Sequence, residues 1–131
     1  MGIKHFTAIA LAICALAPLP QGLADENGGK QMYLKYCASC HGNGGKGDGP
    51  VSRDLKINVP DLTLLRAKNK GLYPLDRVMS SIDGGRVVRG HGTRTMPVWG
   101  EIFRAEHEEY PELTSLLKTK IIAEYIGTLQ K

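Results

Sequence analysis

Five residues constrain this chain more than any other stretch: Cys37-Ala38-Ser39-Cys40-His41. On a helix, Cys37, Cys40 and His41 stand at i, i+3 and i+4, so two thiols and an imidazole share one face about one turn deep. One flat body can meet all three. Cys-x-x-Cys-His is the pattern of c-type haem attachment. The sulfurs would form thioethers with the haem vinyl groups, and a nitrogen of His41 would bind the iron from the same side.

Other uses of such a pair need surroundings that this chain does not offer. A thioredoxin-like dithiol opens a helix after a buried strand, whereas Gly28 to Tyr36 reads as a helix already under way. Structural zinc asks for four ligands in recognisable pairs, and only the scattered His91 and His107 follow the motif. A disulfide between Cys37 and Cys40 would close too small a loop to stabilise much.

The start of the chain reads as a leader. Lys4, the apolar run Phe6 to Ala17, the break Pro18 to Gly22 and then Leu23-Ala24 have the order of a secretory signal peptide, with cleavage expected after Ala24. The run is far below the ~20 residues of a spanning helix, so no stable membrane insertion is expected once residues 1–24 are gone. Cys14 lies in that run, preceded by Ile13 where lipid attachment would ask for a small residue. Residues 25–131 remain as a single domain, 107 of the 131. Its thiols are Cys37 and Cys40 alone, which leaves none for a disulfide framework. Aromatic residues are few, with one Trp, two Phe and five Tyr in the whole chain. A domain this small buries a limited core, and a haem would supply the missing apolar bulk.

Charge is less informative. The formal +4 becomes +3 when Lys4 leaves, and no basic tract points to nucleic acid. Lys46 to Arg94 holds ten Lys or Arg against five acids, and Thr95 to Lys131 four against six. Such a field can steer a docking partner; a simply solvated surface accounts for it equally well.

The spacing predicts a first helix over Gly28 to Ser39, with Met32, Tyr33 and Tyr36 as its apolar stripe and Gly29 as a point of close helix contact. Gly42 to Pro50 is too glycine-rich for regular structure and lacks the Gly-Lys-Ser/Thr ending of a phosphate loop. It is expected to fold over the haem edge, with the Pro50 carbonyl accepting the second ring N–H of His41, a bond that fixes the ring and tunes the iron. Pro60-Asp61-Leu62-Thr63 opens a short helical stretch to Lys70, closed by Gly71. A better helix runs from Pro74 to Asp83, with Leu75, Val78, Met79 and Ile82 on one face and Gly84-Gly85 ending it. Met79 on that face reads as core. Arg86 to Thr95 is irregular. The last helix begins between Pro111 and Ser115 and presents Leu113, Leu116, Leu117, Ile121, Tyr125 and Leu129, with Ile122 and Ile126 widening the stripe. Tyr125 is expected to cross the first helix near Gly29 or Tyr33.

Met96-Pro97-Val98-Trp99-Gly100 is the second stretch with chemistry in it. A residue before proline is pushed towards extended geometry, so Met96 belongs on a loop that can present its thioether to the open side of the iron. Methionine opposite histidine raises the reduction potential and fills the position a substrate would need. Trp99 is a candidate to shield the haem and to offer its indole N–H to a propionate or a backbone acceptor. The plainer reading of Trp99 is a half-buried aromatic. His91 is the rival sixth ligand, His107 sits in an acidic run and reads as surface, and Met32 points elsewhere.

In chain order, Cys37-Ala38-Ser39-Cys40-His41, Gly47-Asp48-Gly49-Pro50, Pro60-Asp61-Leu62-Thr63, Met96-Pro97-Val98-Trp99-Gly100 and Ile122-Ala123-Glu124-Tyr125-Ile126 resemble a class I monohaem c-type cytochrome of the bacterial periplasm. The resemblance covers essentially all of residues 25–131. It implies an all-α fold whose N- and C-terminal helices cross, with short helices and loops around one covalently bound haem c. It also implies His41 and Met96 as axial ligands, haem attachment after export by the cytochrome c maturation machinery, and one-electron transfer without catalytic residues. The implied partners are redox proteins: a dehydrogenase, reductase or oxidase. A dedicated electron-accepting subunit of a periplasmic dehydrogenase or oxidase is the alternative. A haem peroxidase or gas sensor would need an open iron site and a distal acid–base residue such as His91. The Glu101 to Pro111 connection is longer than in the simplest members and carries no assigned role.

Overall fold

The computed structural model describes residues 26–85 and 96–131. The leader at residues 1–24 with its cleavage site, Cys14 and His91 lie outside the described residues. Five α-helices occur: α1 (Glu26–Tyr36), α2 (Ala38–His41), α3 (Leu75–Asp83), α4 (Trp99–Ala105) and α5 (Pro111–Thr128). Three 3-10 turns at Pro50–Asp54, Leu62–Leu64 and Ala67–Asn69 join α2 to α3, and no strand occurs among the described residues. The fold is therefore all-α, as expected. No helix among these residues is long and apolar enough to cross a membrane.

The terminal helices cross where the sequence placed a glycine. A Cβ on Gly29 would lie 3.0 Å from the Tyr125 Cβ and 3.1 Å from the Ile121 carbonyl, so α1 and α5 approach backbone to backbone. One turn on, the rings of Tyr33 and Tyr125 meet at 5.3 Å. The core beneath combines Tyr33 of α1, Val78 and Ile82 of α3, Phe103 of α4, and Ile122, Ala123 and Ile126 of α5. Met79 packs against this core, as its position on the α3 stripe implied.

Punctuation residues end the elements where physical chemistry requires. Asp61 caps the turn at Leu62–Leu64, accepting from the Thr63 N–H at 2.8 Å and the Thr63 hydroxyl at 2.7 Å. Gly84 closes α3 with φ 88°, its N–H donating to the Ser80 carbonyl. The chain end folds back over the middle turns: Gln130 donates to the Leu62 carbonyl at 2.7 Å and accepts from the Arg66 N–H at 2.8 Å.

The face that α5 buries differs from the expected one in its first half. Leu113, Leu116 and Leu117 are exposed, while Ser115 and Thr119 are buried. Polar bonding sets this phase. The Ser115 hydroxyl donates to Asp83 Oδ1 at 2.9 Å, and the same carboxylate oxygen takes Arg104 Nη1 at 3.0 Å, tying the ends of α3 and α4 to α5. Gly100 lets α4 come this close, because a side chain there would run into Asp83. Helix α4 itself was not expected.

Candidate functional site

Helix α1 ends at Tyr36, and Cys37 breaks the run with φ −118° and ψ −35°. The chain re-enters a helical turn at once: the His41 and Cys40 N–H groups donate to the Cys37 carbonyl at 2.9 and 3.2 Å. The i, i+3, i+4 relation therefore holds. Cys37, Cys40 and His41 all line one cleft, with Cys37 and His41 buried and Cys40 partly open to solvent.

The cleft has two halves. One, with a volume of about 330 Å³, is lined by the motif, by Leu55, Ile57 and Val59, and by Met96, Pro97 and Trp99. The second, about 190 Å³, is lined by Leu62, Leu65 and Pro74, by Val78 and Ile82 of α3, and by Ile126 of α5. Cys37, His41, Pro60 and Met96 line both halves. A largely apolar slot whose two halves share an imidazole and a thioether suits a flat macrocycle with a metal at its centre, and its size is that of small-cofactor sites. Met96 stands outside any helix, as the following proline requires.

His41 is oriented from behind. Its Nδ1 lies 3.4 Å from the Pro60 carbonyl. A carbonyl only accepts, so the facing nitrogen carries the proton and the Nε2 lone pair is left for a metal. Burial lowers the pKa of His41, with the Pro60 bond opposing it, which favours the neutral form that ligates. Burial, with the charge of Cys40 second, pushes the Cys37 thiol up to about 12. A redox dithiol needs the opposite, a thiolate at neutral pH; a sulfur that forms a thioether does not.

The acceptor is Pro60, where Pro50 was expected. Pro50 is exposed, opens the turn at Pro50–Asp54 and lines neither half of the cleft. The glycine loop explains the exchange. It does not fold over the cleft but back onto the motif, the Gly47 N–H donating to the His41 carbonyl at 2.8 Å and the Gly49 N–H to the Cys40 carbonyl at 3.2 Å. These bonds satisfy the carbonyls that the short helix leaves open. The loop then spaces the next segment: the Leu62 N–H donates to the Gly45 carbonyl at 2.7 Å, and the absence of a side chain on Gly47 makes room for the Val59 carbonyl. Pro60 is thereby held over the ring.

A protein-family model described as cytochrome C oxidase, cbb3-type, subunit III matches residues 24–115. The chain belongs to this family. It is a c-type cytochrome, with haem as its cofactor and electron transfer as its chemistry, and a single class I domain is consistent with a chain of 131 residues. No solved structure matches it significantly.

In this cytochrome the structure brings Cys37, Cys40, His41, Met96 and Trp99 to one cleft and leaves Pro50 outside it. Trp99 opens α4 and packs on two neighbours, tilted against Tyr36 at 5.3 Å and stacked on Phe103 at 6.2 Å. Sequence reasoning passed over three contributors: Tyr36, which lines the cleft, the wall formed by Leu55, Ile57 and Val59, and Pro60 as acceptor. Alternating apolar residues before a proline were the available signal for the last two.

Proposed function

We propose that the cytochrome is a one-electron carrier of the periplasm, holding a single haem c through thioethers to Cys37 and Cys40 and ligating its iron with His41 and Met96. The observation that carries this reading is the shared lining: the same His41 and Met96 bound both halves of the slot, and Cys37 stands beside them. The haem, when bound, supplies a metal that cycles between ferrous and ferric states. The chain's own part is to fix both axial groups. Pro60 holds the His41 ring, the Met96-Pro97 loop sets the thioether, and the apolar walls exclude water, so little reorganises with the charge change. Residues 1–24 would be the export signal, a reading supported by their composition and by a family match that begins only at residue 24.

A second reading rests on the family's description. A domain related to an oxidase subunit can serve as the fixed electron-accepting subunit of a larger complex instead of a free shuttle. Gel filtration of native extract separates the two: a free carrier elutes at the size of one small domain, and a subunit elutes with its complex. The primary reading is tested by acid–acetone extraction of the protein matured in a periplasm. Colour retained on the wild-type protein and lost from Cys37→Ala/Cys40→Ala supports thioether attachment; colour extracted from the wild-type protein rejects it.

A further inference from the structure

The connection Glu101 to Pro111, without a role in the sequence, holds at its middle a residue that reaches back to the haem motif. The Tyr36 hydroxyl donates to Glu106 Oε1 at 3.0 Å across 70 residues of chain. The other carboxylate oxygen of Glu106 pairs with Lys118 Nζ on α5, and that ammonium stands 5.5 Å above the Phe103 ring. Tyr36 therefore holds α4 at both ends. Its ring packs on Trp99 at 5.3 Å and on Phe103 at 5.1 Å, and its hydroxyl takes the residue that follows the helix.

Two connections make this more than packing. Tyr36 directly precedes Cys37 and lines the cleft beside it. At its other end α4 begins only two residues after Met96-Pro97. A single phenol thus couples the segment that bears His41 to the segment that bears Met96, both of which line the slot. We propose that Tyr36 and Glu106 are positioning residues for the sixth ligand: they brace α4 against the haem motif and so set how firmly the Met96 thioether is held at the iron. This inference rests on the reading of Met96 as a ligand.

The test uses the ferric holoprotein and imidazole, which competes with a methionine ligand. Tyr36→Phe keeps the ring and loses the hydroxyl bond, Glu106→Ala loses both of the carboxylate's contacts, and Glu106→Gln keeps an acceptor for the phenol. Imidazole affinity is expected to rise about fivefold in Tyr36→Phe and Glu106→Ala, the factor that one net hydrogen bond supplies, and to stay within twofold of wild type in Glu106→Gln. A purely structural role would lower the melting midpoint and leave the affinity alone. Affinities within twofold of wild type in both Tyr36→Phe and Glu106→Ala overturn the inference, as does a Glu106→Gln protein that behaves like Glu106→Ala. If the wild-type ferric protein lacks the near-infrared methionine band, it is the ligand reading that fails, and the two failures are told apart before any variant is made.

Discussion

The Tyr33 hydroxyl donates to the Gly42 carbonyl at 2.7 Å in full burial, bonding the middle of α1 to the residue that follows the haem motif. Burial, chiefly, pushes the Tyr33 phenol far above its ordinary value, so it stays a donor throughout the working pH range. Tyr33→Phe removes this bond while the Gly42 carbonyl keeps the Gly45 N–H at 3.1 Å, at a cost of about 0.5–1.5 kcal/mol. In a domain of this size each kcal/mol moves the melting midpoint by about 4–8 °C. Calorimetry of the holoprotein checks this, and an unchanged midpoint would show that Gly42 is held by other means.

Gly49 makes the closest approach to the motif. A Cβ there would lie 2.6 Å from the Ala38 carbonyl and would also overlap the Ser39 carbonyl, with backbone on every side and nothing flexible to yield. Gly49→Ala is expected to displace Cys40 and His41 and to cut the yield of haem-loaded protein severely. Gly44→Ala, four-ångström clear of every neighbour, is the matched control and should load normally. Equal yields from the two would contradict the packing of the loop on the motif.

Asp61, next to the Pro60 carbonyl, has its carboxyl held below the usual range by the Thr63 hydroxyl first and the Thr63 N–H second. A carboxylate whose folded pKa is depressed contributes stability above its unfolded pKa and loses it as pH falls through the folded value. The urea midpoint of wild type should therefore exceed that of Asp61→Asn above about pH 5, where the unfolded carboxyl is ionised. The gap should close as the solution is acidified. A gap independent of pH would mean that the charge on Asp61 does no structural work.

The sequence was most legible where helix or backbone geometry leaves few choices. Cys37, Cys40 and His41 stand at i, i+3 and i+4, and that spacing brings them to one cleft. Met96 could be placed on a loop because Pro97 excludes a helix there, and Gly29 could be placed under Tyr125 because only a missing side chain allows that crossing. It was less legible where equivalent residues compete. Pro50 and Pro60 both follow the glycine loop, and the choice between them depends on how that loop folds back, which is settled by Gly45 and Gly47 and their non-local contacts. Helix α5 is apolar on several faces, so its periodicity was ambiguous. The decision fell to Ser115, whose partner Asp83 lies 32 residues away. Tyr36 and Glu106 were silent for the same reason, being 70 residues apart.

That inverted face of α5 can be measured. Ser115→Leu forces a larger apolar side chain into a buried position and removes the hydroxyl bond to Asp83, which keeps its pairing with Arg104, and is expected to cost about 1–3 kcal/mol. Leu117→Ser changes an exposed position and is expected to fall within about 0.5 kcal/mol of wild type. Denaturant midpoints of the two variants decide the matter; a larger loss from Leu117→Ser would restore the leucine stripe as the buried face.

The central claim, a low-spin haem held between His41 and Met96, is tested most directly by the visible and near-infrared spectrum of the purified protein, oxidised and then reduced. The account expects sharp low-spin bands on reduction and, in the oxidised protein, a weak near-infrared band from the methionine–iron bond. That band should be absent from Met96→Ala, whose potential falls and whose iron binds cyanide. A high-spin oxidised spectrum in the wild-type protein, or a near-infrared band that survives Met96→Ala, would contradict it.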